Sequence, residues 1–206
     1  VERAGQISNF QKEKYFNVEL DCDGIPAVKP KIFDPDEAEQ LRSRCQGSEA
    51  IVTAVKETEK KVKAPKLYDL TTLQREANRI YGMTAKQTLD TAQSLYEKKL
   101  ITYPRTDSQY LTEDMEQTAR NVVRQIYEKY QLTGPFDQPE QPDVKKVMNN
   151  SKVTDHHAII PTMELASCHL DELKSWEEKI LFLIAVHTVM AMSKDHIYQE
   201  TEIEVE

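Results

Sequence analysis

Leu100-Ile101-Thr102-Tyr103-Pro104-Arg105-Thr106-Asp107-Ser108 is the stretch on which the fold and the chemistry of this chain turn. A short apolar, β-branched run delivers a tyrosine, so a strand is expected over Leu100–Tyr103. Pro104 ends that strand, and Asp107 and Ser108 open a polar turn. A phenol is a poor nucleophile at its ordinary pKa of about 10, so a catalytic tyrosine needs cationic or electrophilic help. Arg105 is a permanently charged fork suited to a phosphate. Chemically the stretch describes tyrosine attack on a phosphodiester. On spacing alone, a packing tyrosine before a proline is the commoner reading.

The preceding residues set the context. From Asp69 the apolar period becomes helical: Leu70, Leu73, Ala77 and Ile80 share one face, with Asp69 or Thr71 as N-cap. Tyr81-Gly82-Met83 breaks that helix, and Thr84 caps a second one whose buried stripe is expected to be Ala85, Leu89, Ala92 and Tyr96. Two helices, a tight glycine turn and a strand follow the pattern of a winged helix-turn-helix. A plain αα-hairpin without a nucleic-acid role has the same pattern. A strand directly after the second helix would put Tyr103 at the rim of the unit.

Upstream, Tyr15–Cys22 alternates with period two, Asp23-Gly24 is a hairpin turn, and Ala27–Phe33 can pair back. Asp34-Pro35-Asp36 starts a helix reaching about Cys45. Ala50–Val55 resumes as a strand, with the charged run Lys56–Lys63 as its exposed far end. Downstream, Thr112 is expected to cap a helix to about Tyr130. Residues 133–150 form a long proline-bearing loop, and a helix from Leu170 to about Met192 precedes a strand over Tyr198–Glu206. If that strand pairs within residues 15–60, the helical block is an insertion in a β-domain, entered near residue 65 and left near 193. The fold class is α+β.

Composition narrows the function classes. The 206 residues are 39% hydrophobic and 30% charged, as in a globular chain. No apolar run approaches the ~18 residues of a transmembrane helix, and the start, Val1-Glu2-Arg3-Ala4-Gly5, has neither a methionine nor a signal-peptide core. The last residues stop within an alternating pattern, so a piece of a longer chain is expected. Three scattered cysteines, Cys22, Cys45 and Cys168, show neither zinc spacing nor a disulfide framework, which fits a reducing cytoplasm. The net charge of −8 weighs against nucleic acid, but it is uneven. Residues 66–132 carry 10 basic and 9 acidic residues, whereas residues 133–206 carry 6 and 14. A weak affinity for DNA is therefore expected of these residues by themselves.

The second notable string is Thr154-Asp155-His156-His157-Ala158-Ile159-Ile160-Pro161-Thr162. Adjacent histidines on an extended chain point apart, which argues against a shared metal. One of them bonding a phosphate and one merely capping a turn both fit the sequence.

Leu70–Asp90, Leu95-Tyr96-Glu97, Leu100–Ser108 and Thr154–Thr162 together resemble the type IA DNA topoisomerases, and the histidine string is closest to their bacterial topoisomerase III branch. The resemblance implies that Tyr103 is the nucleophile, cutting one DNA strand and holding its 5′-phosphate as a phosphotyrosine. Arg105 would hold the scissile phosphate, His156 rather than His157 would contact the phosphate beside it, and Asp107 would orient His156. Religation reverses the step, so no ATP is required. It implies single-stranded DNA as partner, no membrane, and Mg2+ bound by a Toprim domain that no part of residues 1–206 resembles. These residues should therefore hold no metal, be monomeric and be inactive alone. Residues 1–65 and 193–206 would be a β-rich arch or hinge, and 66–192 the helical tyrosine-bearing domain. A winged-helix DNA-binding module without chemistry and a purely structural hinge are the competing readings.

Overall fold

In a computed structural model, residues 2–132 and 142–206 are described. The chain is mixed helix and sheet, an α+β fold, and divides into two compact units: residues 1–60 with 198–206, and residues 61–197.

The first unit begins with a helix, α1 (Glu2–Ser8), that buries no residue. Strands β1 (Phe16–Cys22) and β2 (Ile25–Ile32) form an antiparallel hairpin. Its turn places both Asp23 (φ 53°) and Gly24 (φ 88°) in the left-handed region, as a two-residue hairpin requires. The Asp21 carboxylate accepts the Gly24 N–H at 2.7 Å. An extra residue on β2 shifts the register between Phe16 and Val18, and Lys31 sits there at φ 58°. Helix α2 (Pro35–Cys45) is capped by Asp34, whose carboxylate accepts the Asp36 N–H at 2.9 Å. It packs on the hairpin through a small core of Val18, Ile32 and Ala38, with Leu20 and Leu41 against it. Strands β3 (Val52–Val62) and β4 (His196–Val205) pair as a separate two-stranded ribbon. Ile51 and Glu206 exchange reciprocal backbone bonds at 2.9 Å, the pattern of an antiparallel pair.

The second unit holds the large core. Helix α3 (Leu70–Tyr81) starts at a reciprocal cap, in which Asp69 accepts from the Thr72 backbone and the Thr72 hydroxyl faces the Asp69 backbone. It stops at Gly82, φ 68°, whose N–H reaches the Ala77 and Asn78 carbonyls. Helix α4 (Ala85–Glu97) has the same kind of cap from Thr84 and Gln87. Helix α5 (Glu116–Tyr130) and helix α6 (Ser175–Ala191) complete the set. Helix α6 is apolar on nearly every side, burying Ile180, Leu181, Ile184, Ala185 and Val189, because α3, α4 and α5 all pack against it.

Several sequence expectations change. The buried stripe of α4 is Thr88, Ala92 and Leu95, while Ala85 and Tyr96 are exposed. Thr88 is tolerated inside because its hydroxyl bonds the Thr84 carbonyl at 3.1 Å. Ile80 also lies outside the core. The strand expected over Leu100–Tyr103 shrinks to a single bridge, Ile101 to Pro161. Thr112 precedes a short 3-10 turn, Glu113–Met115, and α5 begins only at Glu116. Likewise Leu170–Glu172 is a 3-10 turn separate from α6. Of the expected 133–150 loop, residues 133–141 lie outside the described residues. Its end is a 3-10 turn, Val144–Val147, with both valines buried.

Candidate DNA-processing site

The end of α4 sends the chain into the site. Lys99 adopts φ 61°, and the Leu100 N–H returns to the Leu95 carbonyl at 2.9 Å. From there residues 100–110 run beside residues 156–162. The Thr102 N–H donates to the Ile160 carbonyl and the Thr162 N–H to the Leu100 carbonyl, each at 3.0 Å. The Thr102 hydroxyl substitutes for further ladder bonds, donating to the Ala158 carbonyl (2.9 Å) and accepting the Ile160 N–H (3.0 Å). Thr162 in turn donates its hydroxyl to the Lys99 carbonyl. Beyond Pro104, buried Thr106 donates to the His156 carbonyl at 3.0 Å and accepts the Ser108 N–H at 3.1 Å. Ser108 donates to the Lys152 carbonyl at 2.9 Å, and the Ala158 N–H to the Tyr110 carbonyl at 2.9 Å. A third segment joins through Tyr68, whose carbonyl accepts the Ile159 N–H at 2.8 Å, and through the Leu70 N–H to the Thr106 carbonyl at 3.0 Å. Ile101, Ile159 and Ile160 below this seam are buried in the main core.

The seam brings Tyr103 and His156 together. Their ring centroids are 4.3 Å apart at an interplanar angle of 45°. Tyr96, from the last turn of α4, meets Tyr103 edge-on, with ring centroids 5.4 Å apart. Tyr96 is exposed because it faces this site and not the core. His157 is turned to its own backbone, with Nδ1 2.9 Å from the Ala158 carbonyl, so that nitrogen carries the proton. Arg105 and Asp107 are exposed, and among the described residues no hydrogen bond or ion pair ties either side chain to Tyr103 or His156.

One cluster was not singled out from the sequence. Tyr110 is flanked by the ammonium groups of Lys152, 4.8 Å from its ring centroid, and Lys66, 5.6 Å away. Burial pushes the Tyr110 hydroxyl upward, but the Lys152 hydrogen bond and the two positive charges outweigh it and hold the group below its ordinary value. Lysines 86 residues apart in sequence give no local pattern that would have revealed this.

Among the described residues, no group of three or more His, Cys, Asp or Glu side chains is placed to hold a metal ion. The Mg2+ that the family resemblance assigns to a Toprim domain therefore has no site of this kind among the described residues. Cys22, Cys45 and Cys168 are free thiols. No helix among the described residues is long and apolar enough to cross a membrane.

Comparison with known proteins identifies the family. A family model described as DNA topoisomerase matches residues 1–206. DNA topoisomerase 3 of Bacillus subtilis is 35% identical over 213 residues, covering 98% of this chain and 29% of that protein. DNA topoisomerase 3 of Staphylococcus epidermidis is 36% identical over 203 residues, covering 96% and 28%. The solved structure of full-length topoisomerase I from Thermotoga maritima superposes with a TM-score of 0.70 at 27% identity, covering 99% of this chain and 33% of that one. The chain thus spans less than a third of the length of the curated relatives it matches. Matched from end to end by the family model and sharing a fold with a solved member, the chain belongs to the type IA DNA topoisomerases.

Proposed function

We propose that residues 1–206 supply the nucleophile of an enzyme that cuts, passes and reseals single DNA strands. In the cut, Tyr103 Oη bonds to a backbone phosphorus while the bond from that phosphorus to the 3′-oxygen breaks. The phenol gives up its proton, the 3′-oxygen gains one to become a free hydroxyl, and the 5′-phosphate stays on the protein. Resealing is the reverse step, with the ester energy held in the phosphotyrosine and no ATP consumed. Arg105 holds the scissile phosphate and stabilises its developing charge. His156 bonds the neighbouring phosphate, and exposed Asp107 orients His156.

The observation that carries this reading is the packing of Tyr103 on His156, which joins two strings of the chain that are 53 residues apart in sequence. It is tested by trapping a covalent DNA adduct with the intact protein that carries these residues. The adduct should vanish in Tyr103→Phe and survive in Tyr110→Phe. An adduct that persists in Tyr103→Phe rejects the assignment. For Asp107, unchanged cleavage after Asp107→Ala removes it from the mechanism.

The same proposal makes residues 66–192 a winged-helix-like tyrosine domain inserted in a β-rich arch of residues 1–65 and 193–206, working as a monomer in the reducing cytoplasm. Residues 1–206 alone are proposed to be inactive, since no part of them resembles the Toprim domain to which the family resemblance assigns Mg2+. Relaxation of supercoiled DNA by the 206-residue chain would overturn that. The competing reading, a DNA-binding winged helix without chemistry, is disfavoured by Lys86. It is the lone lysine of the first turns of α4, and it is committed to Asp90 at 2.9 Å.

A further inference from the structure

Lys66, Tyr110 and Lys152 come from three separate segments, yet each is held in place by its backbone. The Lys66 carbonyl accepts from His187 Nε2 at 2.7 Å, and that imidazole is stacked on Tyr68 with centroids 3.7 Å apart. The Tyr110 carbonyl is bonded by Ala158 and the Lys152 carbonyl by Ser108, both within the seam that also carries Tyr103 and His156. The three side chains therefore converge on fixed anchors. Lys152 Nζ lies 3.4 Å from the Tyr110 hydroxyl. Among the described residues, no carboxylate lies within ion-pair distance of either lysine, in contrast to Lys60, Lys61, Lys86, Lys98 and Lys146. Two ammonium groups crowded at one ring without an anion repel each other, and a singly or doubly charged oxyanion between them would relieve that repulsion.

We propose that Lys66, Tyr110 and Lys152 form a binding subsite for a DNA backbone phosphate, separate from the one at Tyr103. The two lysines supply the charge and the Tyr110 hydroxyl donates a hydrogen bond to a phosphate oxygen. Contacts of this kind fix the register of a strand without reading its bases. The proposal rests on the reading that this chain handles single-stranded DNA. A strand laid along the seam would be held at this subsite while another of its phosphates meets Tyr103.

The test is binding of the 206-residue chain to a fluorescein-labelled oligothymidylate, followed by anisotropy between roughly 20 and 200 mM NaCl. Lys66→Ala/Lys152→Ala should weaken binding roughly threefold to tenfold at the lower salt, and should flatten the log Kd against log salt slope by about 0.7, the contribution of one neutralised phosphate on a single strand. Tyr110→Phe, which keeps the ring and loses the hydroxyl, should weaken binding about twofold with the slope unchanged. Lys12→Ala/Lys14→Ala makes the same change in net charge elsewhere and controls for bulk charge. The four lysines replaced are exposed and Tyr110 is half-buried, and circular dichroism verifies that each variant stays folded. If the Lys66/Lys152 variant behaves like the Lys12/Lys14 variant, the subsite is wrong while DNA binding stands. If the unmodified chain binds no oligonucleotide at the lowest salt, the subsite and the DNA reading fall together.

Discussion

Replacing Glu177 by glutamine tests how the helices beneath the site are held. Glu177, on α6, is 2% exposed. Its Oε1 accepts from the Ser94 hydroxyl at 2.6 Å, and its Oε2 accepts from Lys98 Nζ at 2.6 Å and the Lys174 N–H at 2.9 Å. Burial alone would raise its pKa, but these donors overcome burial and hold it at about 2, against an ordinary 4.5. That drop corresponds to roughly 3 kcal/mol at 1.36 kcal/mol per pH unit. The Lys98 side chain is 40% exposed, and the solvent screening this brings reduces the expected loss to about 2 kcal/mol.

The folded-state pKa lies below the unfolded one, so the stabilisation is complete above about pH 4.5 and is lost as pH falls towards about 2. Glu177→Gln should therefore cost about 2 kcal/mol near neutral pH and less than about 1 kcal/mol near pH 3. Trp176, the single tryptophan, is the neighbouring residue and reports urea unfolding by fluorescence. With a slope of about 2 kcal/mol per molar urea, the midpoint should fall by about 1 M. Lys98→Met strands the carboxylate and should cost at least as much, whereas the double variant should cost less than the sum of the two. The reasoning fails if Glu177→Gln lies within about 0.5 kcal/mol of the unmodified chain near neutral pH, or if its deficit is as large near pH 3.

Thr106→Val keeps the shape but leaves the buried Ser108 N–H without its acceptor and the His156 carbonyl without its donor. It should cost about 1–3 kcal/mol in urea unfolding, and in the intact protein it should lower the yield of covalent adduct by loosening His156 from Tyr103. Asp69→Ala removes the cap of α3 and should cost about 1 kcal/mol by the same assay. Gly82→Ala meets no atom within 4 Å, so its cost is the backbone penalty at φ 68° alone, about 1 kcal/mol; no loss of stability would contradict the left-handed turn.

The helices were legible where local chemistry decides them. Asp34, Asp69 and Thr84 announce their helices because a short oxygen side chain before an apolar period can satisfy an otherwise orphaned N–H. The α4 stripe was misjudged because hydrophobic periodicity treats Thr88 as polar, although its hydroxyl is satisfied within the helix, and treats Tyr96 as core, although its ring edge serves Tyr103. The expected strand at Leu100–Tyr103 became one bridge because the Thr102 hydroxyl takes over bonds that a longer ladder would make. The pairing of Lys98 with Glu177, and of Tyr110 with Lys66 and Lys152, leaves no local trace in sequence. Such pairs are set by which helices and segments the core brings together.

The contrast between Tyr103 and Tyr110 bears on how the cut could work. Of the two, only Tyr110 has ammonium groups against its ring, and they hold its hydroxyl below the ordinary value. Tyr103 has two aromatic neighbours and no cation against its ring among the described residues. A phenol used as a nucleophile needs cationic or electrophilic help nearby. On the proposed mechanism, the scissile phosphate draws exposed Arg105 inward, so activation and substrate binding are one event. The consequence separates the two tyrosines experimentally. Tyr110→Phe should weaken DNA binding while leaving the rate of adduct formation at saturating DNA within about twofold. Arg105→Ala should do the reverse, lowering that rate by about a hundredfold or more while changing affinity little. If Tyr110→Phe proves to be the variant that loses the saturated rate, the cation-flanked phenol is taking part in the chemistry, and the division of labour along the seam is wrong.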